Sequence, residues 1–275
     1  IIRPLNQSLT ADEIYEITGI LNGTTNFILT KMAEEGRPFE DVLKEAQDLG
    51  YAERNPEADV EGHDACRKIA ILSSLAFGRQ VNFEEIPTQG ITRISKEDMQ
   101  YASKMGYTIK LLGTCKKEDH EIFARVSPVM IPKKHPLAPV NDVFNAILIK
   151  GNVIGEVMFY GRGAGKLPTA SAVVADIVDA SKHKGINVIS HWSKETIEMM
   201  DPKGVPAAYF VRVQKADGVK EKVASIFKDV EWIEFDQFND EIAFVTAEDT
   251  EGAQEDKFTQ LKEHAFVLSS IHIEK

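Results

Sequence analysis

Apolar residues recur with a helical period in some stretches of the chain and alternate with polar residues in others. The helical stretches predict one helix that ends near residue 35 and further helices over 39–49, 63–75, 95–105 and 164–181. The β-rich stretches predict strands over 13–20, 107–115, 122–129, 143–149 and 153–160. This mixture predicts an α+β fold in which helices cover a mixed sheet. Small residues in the 164–181 helix (Ala170, Ala172 and Ala175) predict that it packs closely on the sheet.

The C-terminal quarter of the chain has its own regular order of elements. A polar connector over 183–206 precedes it. The pattern then predicts strand, helix, strand, strand, helix and strand over 207–214, 219–227, 231–238, 241–247, 253–264 and 267–273. That βαββαβ order is typical of a ferredoxin-like unit. We therefore predict two domains, one over 1–190 and one over 207–275.

Ionisable residues gather in and beside the loop over 51–62, which joins two predicted helices. They are Glu53, Asp59, Glu61, Asp64 and Lys68. Asp64 and Lys68 lie one helical turn apart, so they share a face. One interpretation of these two residues is an exposed ion pair, which contributes only about 0.2–0.5 kcal/mol. The other is that a lysine beside apolar residues, with a carboxylate one turn away, holds a proton ready for transfer.

Composition narrows the classes of function. The chain has 275 residues, a formal charge of −11 and 43% hydrophobic residues, which is ample for a buried core. No basic cluster indicates a nucleic-acid partner, and no apolar run approaches the roughly 20 residues of a membrane span. The two cysteines, Cys66 and Cys115, have no metal-ligand spacing, so we predict no metal site from them. Few cysteines and no export signal favour a cytoplasmic enzyme.

Three motifs give the chain a family resemblance. The spacing A-x3-G-Y-x-E-x-N-P-x2-D-V-x-G-x-D-x3-K over 46–68 resembles the signature of the homoserine dehydrogenases. The segment GRGAGKLPTASAVVAD over 161–176 is similar to the glycine-rich segment of that family, and GILNGTTNFIL over 19–29 is similar to the entry into its catalytic domain. The resemblance covers about residues 1–190 in the order of the family.

The resemblance implies a reaction and a set of residues that carry it. Homoserine dehydrogenases interconvert L-aspartate 4-semialdehyde and L-homoserine with NAD or NADP, in the biosynthesis of threonine, methionine and isoleucine. It implies that Lys68 and Asp64 are catalytic. It also implies that Glu53 and Asp59 bind the substrate, with Tyr51 as a plausible neighbour.

The glycine-rich segment is the expected cofactor contact. The resemblance places its residues near the nicotinamide, and they are Gly161, Gly163, Ala164, Gly165 and Thr169. Glycines suit a backbone that another molecule approaches closely. A tight turn from strand to helix would explain the same glycines without any cofactor.

The tail over 207–275 resembles an ACT domain in its order of elements, its size and its position. That resemblance implies binding of an amino-acid effector at the turn formed by Asp217 and Gly218, with threonine suggested by the family. It also implies a homodimer or homotetramer. The alternative function is an amino-acid-binding and dimerisation module without activity of its own.

The start of the chain leads to one further expectation. The chain opens with IIRPLNQSL, without a Met, and has no G-x-G-x-x-G fingerprint between a strand and a helix. A homoserine dehydrogenase of the usual kind has a Rossmann nucleotide-binding domain before this point. We therefore expect that this chain lacks that domain and is inactive alone.

Overall fold

A computed structural model describes residues 1–186 and 192–274. In these ranges the α-helices are α1 Gly23–Glu35, α2 Phe39–Asp48, α3 Glu57–Val60, α4 His63–Phe77, α5 Lys96–Lys104, α6 Lys166–Lys182, α7 Val219–Ile226 and α8 Glu251–Lys262. The strands are β1 Ile14–Ile20, β2 Arg79–Gln80, β3 Tyr107–Glu118, β4 Glu121–Pro132, β5 Phe144–Gly151, β6 Gly155–Arg162, β7 Ser193–Thr196, β8 Glu198–Met199, β9 Pro206–Ala207, β10 Tyr209–Gln214, β11 Glu231–Ile233, β12 Glu241–Val245, β13 Asp249–Thr250 and β14 Val267–Ile273. The predicted end of the first domain falls within 187–191, outside the described residues, as does residue 275.

One mixed sheet organises the fold. Its order is β11-β12-β10-β14-β4-β3-β1-β5-β6, and β8 adds to it by pairing with β4. The pairs of β14 and β8 with β4 are parallel, whereas the other neighbours in this order run antiparallel. Helices α1, α4 and α5 pack on the sheet. The prediction of an α+β fold with a mixed sheet covered by helices is confirmed.

The main core lies between the sheet and these helices. Ile17 of β1, Ile28 of α1 and Ile69 of α4 have no exposed surface in this core. Each side chain buried in this way contributes about 1.5–3 kcal/mol relative to an exposed one. The core therefore fixes α1 and α4 against the sheet, and these are the elements that carry the ionisable residues described below.

Capping residues determine where α1 and α5 begin. The side chain of Asn22 accepts a hydrogen bond from Thr25 N and caps α1. Ser95 and Asp98 form the reciprocal capping box that starts α5, as their spacing predicts. The segment predicted as a loop contains a short helix, α3, in which the four residues after Pro56 form one helical turn.

The prediction for α6 is wrong in one respect. The helix forms, but none of its residues is buried, and Leu167 and Ile177 are 77% and 62% exposed. The small residues therefore do not pack on the sheet. The reason is that β6, which leads into α6, is an edge strand of the sheet. Asp176 of α6 forms an ion pair with Arg3.

The C-terminal unit contains β10, α7, β11, β12, α8 and β14 in the predicted order, with the additional two-residue strand β13 between β12 and α8. Its strands lie side by side as β11-β12-β10-β14, the arrangement of a ferredoxin-like unit. The predicted strand over 231–238 is shorter than expected and ends at Ile233. Phe235 and Phe238 leave the strand because they pack on the Tyr101 ring of α5, with ring centroids 5.2 and 5.3 Å away.

The two units share the sheet and a buried ionic contact. Strand β14 pairs with β4 at His272 and Val129, so the sheet continues from one unit into the other. Arg212 of β10 donates to Asp98 of α5 at 2.8 Å and to Glu241 of β12 at 2.6 Å. These contacts fix the C-terminal unit against the sheet and α5.

The connector predicted over 183–206 contains short strands. Among its described residues, β7 pairs with β2 and β8 pairs with β4. Within the described ranges, no helix has both the length and the apolar composition needed to cross a membrane.

Candidate active site

The start of α4, the short helix α3 and the start of α1 bring four polar side chains together. Lys68 Nζ lies 2.7 Å from Asp64 Oδ2, one turn earlier on α4, and donates to the carbonyl of Leu21 at 3.0 Å. Asn22 Nδ2 donates to Asp59 Oδ1 at 2.7 Å and to Asp64 Oδ2 at 2.9 Å. A lysine, two carboxylates and an amide therefore form one connected cluster.

The helix cap explains why Asn22 can hold both carboxylates. Its Oδ1 accepts from Thr25 N at 2.9 Å, which satisfies a backbone donor at the start of α1. That bond orients the amide so that Nδ2 faces Asp59 and Asp64. Only 6% of Asn22 is exposed, so the side chain has little freedom to leave this position.

Asp59 is the carboxylate with a perturbed acidity. Its pKa lies above the ordinary value, chiefly because burial disfavours the charged form. The negative charge of Asp64 raises the pKa further, while the hydrogen bond from Asn22 opposes these effects. A partly buried carboxylate of this kind gains most from a cationic ligand.

The cluster opens into a cavity of about 460 Å³. Most of the predicted site residues line it, namely Tyr51, Asp59, Asp64, Lys68, Gly163, Ala164 and Gly165. A second cavity of about 410 Å³ adjoins it and includes Gly161. Lys68, Asn145, Arg162 and Gly163 line both cavities, so the lysine stands where the two meet.

Two predicted residues lie outside these cavities. Glu53 is exposed, although its charge contributes to raising the pKa of Asp59. Thr169 is exposed on the first turn of α6, where its backbone N–H donates to the carbonyl of Gly165 at 2.9 Å. Neither residue is among those that line the two cavities.

The three glycines over 161–165 differ in whether backbone conformation or close contacts within the chain account for them. Gly165 has φ +118°, a conformation that other residues rarely adopt. A Cβ on Gly163 would lie 2.8 Å from Asn145 Nδ2, which is a clash. A Cβ on Gly161 would meet no described atom within 4 Å, so contacts within the chain do not explain this glycine.

A family model described as Homoserine dehydrogenase matches residues 1–178. The chain belongs to the homoserine dehydrogenase family. The homoserine dehydrogenase of Bacillus subtilis strain 168 is 43% identical over 234 residues, covering 83% of this chain and 54% of that protein. The chain therefore spans about half the length of this relative.

Solved homoserine dehydrogenase structures match the fold as well. The crystal structure of a homoserine dehydrogenase from Thiobacillus denitrificans has a TM-score of 0.89 and 36% identity, covering all of this chain and 67% of that one. A hyperthermophilic archaeal homoserine dehydrogenase in complex with NADPH has a TM-score of 0.57 and 33% identity, covering 69% of this chain and 54% of that one.

Two further residues that line both cavities, Asn145 and Arg162, were not predicted as site residues from the sequence. Within the described structure, Asn145 Oδ1 is buried and has no hydrogen-bond partner, although Asn145 lines both cavities. The Arg162 guanidinium lies over the Phe144 ring, 4.6 Å from its centroid. The sequence feature that could have indicated Asn145 is a polar residue inside the otherwise apolar start of β5.

These residues fit the reactive end of a nicotinamide cofactor. Asn145 Oδ1 is an unpaired acceptor, and a carboxamide N–H is a donor that would satisfy it. Gly163 leaves space that a Cβ would close against Asn145, and Lys68 lies on the same wall. The arrangement can therefore hold a planar amide beside the Lys68 side chain.

The predicted effector residues, Asp217 and Gly218, lie outside the two cavities of the candidate active site. Gly218 has φ +75° and precedes α7, as the predicted turn requires. Asp217 and Gly218 are both exposed. Neither residue lines the two cavities described above.

Proposed function

We propose that the chain supplies the substrate-binding and catalytic part of a homoserine dehydrogenase. The reaction is the NAD- or NADP-dependent interconversion of L-aspartate 4-semialdehyde and L-homoserine, in threonine, methionine and isoleucine biosynthesis. The observation that carries this proposal is the connected cluster of Asn22, Asp59, Asp64 and Lys68 beside the glycine segment. The family membership is consistent with it.

Aldehyde reduction requires a hydride on carbon and a proton on oxygen. The cofactor supplies the hydride when it is bound. Lys68 is positioned to stabilise the developing alkoxide with its ammonium and to donate the proton. Asp64 and the Leu21 carbonyl hold Nζ at 2.7 and 3.0 Å, which orients the proton donor toward the cavity wall that it lines.

The substrate carries an α-ammonium, which requires carboxylate partners. Asp59 lines the cavity and is partly buried, so it is the principal acid in this proposal. Glu53 adds negative charge from the loop, and Tyr51 contributes to the wall.

The nicotinamide end of NAD or NADP would lie against Gly161, Gly163, Ala164 and Gly165, with Thr169 behind them. Asn145 would accept a hydrogen bond from the carboxamide. The archaeal relative was solved in complex with NADPH, and we assign this chain no preference between NAD and NADP.

We expect L-homoserine to bind this chain and the Asp59→Asn variant to bind it about 10–100-fold more weakly. The lost contact is a hydrogen bond between charged groups, which contributes about 1.5–3 kcal/mol. Isothermal titration calorimetry measures the change. 4-Hydroxybutyrate, which lacks the ammonium, is expected to bind both proteins equally weakly.

Stability separates a binding role for Asp59 from a structural one. Since its folded-state pKa is raised, the protonated carboxyl of Asp59 favours the folded state; this contribution is fully present below the unfolded pKa and is lost as the pH rises through the folded pKa. At neutral pH the amide of Asp59→Asn should therefore leave the melting temperature unchanged or raised. Asp48→Asn, at the exposed end of α2, is the matched control. A lower melting temperature with unchanged homoserine affinity would contradict the role.

The C-terminal unit is the proposed regulatory part, an ACT domain. The ferredoxin-like order of its strands supports this proposal. We place an amino-acid effector, most simply threonine, at the turn of Asp217 and Gly218, where the first N–H groups of α7 can donate to its carboxylate. A homodimer or homotetramer is the proposed assembly, since β6 is an edge strand with Met158 and Tyr160 exposed.

We expect threonine to raise the melting temperature of the chain, and Gly218→Val to abolish the increase. A β-branched residue does not tolerate φ +75°, so the turn that presents the N–H groups would change. Gly204→Val, at a glycine with open space around its Cα and no positive φ, controls for the added side chain. Effector binding without homoserine binding would favour the alternative, a regulatory module without activity.

A further inference from the structure

Asn22 bridges two carboxylates of the candidate active site through a single amide nitrogen. Its Nδ2 lies 2.7 Å from Asp59 Oδ1 and 2.9 Å from Asp64 Oδ2. An amide NH2 group has two hydrogens, so each carboxylate can accept one. The amide oxygen meanwhile accepts from Thr25 N at the start of α1. One buried side chain therefore performs two tasks, a helix cap and a bridge between two acids.

The two acids depend on this bridge to different degrees. Asp64 Oδ2 also lies 2.7 Å from Lys68 Nζ, so a cation holds it independently of Asn22. In the part of the chain that the structure describes, the side chain of Asp59 accepts a hydrogen bond from Asn22 alone. Loss of the bridge would therefore leave Asp59 without a donor, whereas Asp64 would keep its cation.

The surroundings of Asp59 disfavour its charge. Burial raises its pKa most, and the negative charges of Asp64 and Glu53 raise it further. Two effects oppose this change, the hydrogen bond from Asn22 and the weaker effect of the positive charge of Lys68. A hydrogen bond to an ionised carboxylate is stronger than one to a neutral group. The bridge therefore favours the ionised form of Asp59, which is the form that binds an ammonium.

The helix cap uses only the oxygen of the Asn22 amide. Serine, aspartate and asparagine cap helices about equally well, so each could serve at this position for the cap alone. A serine hydroxyl has one O–H and cannot donate to two carboxylates, and an aspartate would add a third negative charge. Asparagine combines the capping oxygen with two donor hydrogens, which the bridge requires.

We propose that Asn22 is a positioning residue for the substrate ammonium, because its amide orients Asp59 and stabilises the charge of that carboxylate. The bridge holds Asp59 Oδ1 and leaves Oδ2 available to the ligand. Asn22 acts through Asp59 and need not contact the reacting atoms. Since Asp59 is the partner of the ammonium in the proposed function, this role of Asn22 rests on that function.

Asn22→Ser separates the two tasks, because serine keeps the cap and loses the bridge. Calorimetry of the whole chain with L-homoserine at neutral pH should show about 10–100-fold weaker binding, the effect of one hydrogen bond to a charged group. The melting temperature should not change. Asn22→Ala should lose the same affinity and also melt at a lower temperature, because it removes the cap as well.

Asn82→Ser is the matched control for the substitution. Asn82 caps the short turn Phe83–Glu85 through its amide oxygen, and its Nδ2 donates to the carboxylate of Glu85 at 2.8 Å. It therefore has the same two kinds of contact as Asn22, but it lines neither active-site cavity. Asn82→Ser should bind homoserine as the parent does.

The pH dependence of binding tests the effect on charge, which a purely structural role would not change. Homoserine affinity should fall as the pH is lowered through the pKa of Asp59, because protonation removes the partner of the ammonium. Since the bond from Asn22 lowers that pKa, Asn22→Ser should move the fall to higher pH by about one unit. When Asp59→Asn is already present, Asn22→Ser should change the affinity by less than about twofold, because the carboxylate through which it acts is absent.

Three results would overturn this role of Asn22 and leave the proposed function intact. They are parent-like homoserine affinity in Asn22→Ser, an unshifted pH profile, and an equal loss of affinity with and without the Asp59 carboxylate. A comparable loss in Asn82→Ser would also overturn it, because the effect would not be specific to the bridge. Absence of homoserine binding by the parent chain, or binding unaffected by Asp59→Asn, would instead overturn the proposed function and this role with it.

Discussion

Replacing Lys68 with alanine is expected to lower turnover about 10²–10⁴-fold, the usual contribution of a positioned general acid. The chain spans about half of the Bacillus subtilis relative, so the assay uses a chimera. It joins the part of that relative not matched by this chain to residues 1–275. Steady-state oxidation of homoserine, followed by absorbance of the reduced cofactor, measures the change.

The same variant should remain folded. Lys68 forms an i,i+4 pair with Asp64, and its side chain is 47% exposed, so the pair contributes at most about 0.5 kcal/mol. The loss of turnover is thus expected without a comparable loss of stability. Lys44→Ala, at an exposed lysine of α2, is the matched control. Near-normal turnover of the Lys68→Ala chimera at neutral pH would rule out the lysine as the proton donor.

Residues close in sequence account for the parts of the site that could be predicted. Asp64 and Lys68 share a helix face because they are one turn apart. A role for Asn22 is harder to predict, because its partner Asp59 lies 37 residues away and its cap to Thr25 explains the amide equally well. The local signal for Asn145 is only its polar side chain at the apolar start of β5, and its importance depends on an unpaired oxygen at a cavity wall, which the sequence does not show.

In the fold, too, features set by residues close in sequence could be predicted, whereas features set by distant contacts could not. The capping box of α5 depends on two residues three positions apart, Ser95 and Asp98, and the helix starts where they indicate. The end of β11 is set instead by the packing of Phe235 and Phe238 on Tyr101, more than 130 residues away along the chain. The exposed position of α6 likewise depends on which elements adjoin it, and small residues within the helix do not specify that.

The ionic contact between the two units leads to the largest expected effect on stability. Arg212 is 5% exposed, and its partners Asp98 and Glu241 have side chains 0% and 9% exposed. Burial alone would lower the pKa of Arg212, but the hydrogen bonds and charges of Glu241 and Asp98 raise it above its ordinary value. The guanidinium therefore stays charged and balances two buried carboxylates.

Arg212→Met should lower the free energy of unfolding by about 3–5 kcal/mol, because it leaves two carboxylates buried without a cation. Methionine keeps much of the apolar stem, so lost packing contributes less than lost charge. This is a large part of the roughly 5–15 kcal/mol that stabilises a typical domain. Urea unfolding measures it, with Arg54→Met in the exposed loop as a control that should change by less than about 0.5 kcal/mol.

The double variant Arg212→Met with Asp98→Asn tests whether charge is the cause. The amide removes one of the two uncompensated charges, so part of the lost stability should return, although Asp98→Asn alone is destabilising. The side chain of Asp98 also accepts from Ser95 N at 2.9 Å, and an amide oxygen can keep that helix cap. Strictly additive losses, or a loss below about 1 kcal/mol for Arg212→Met, would show that the buried charges do not hold the two units together.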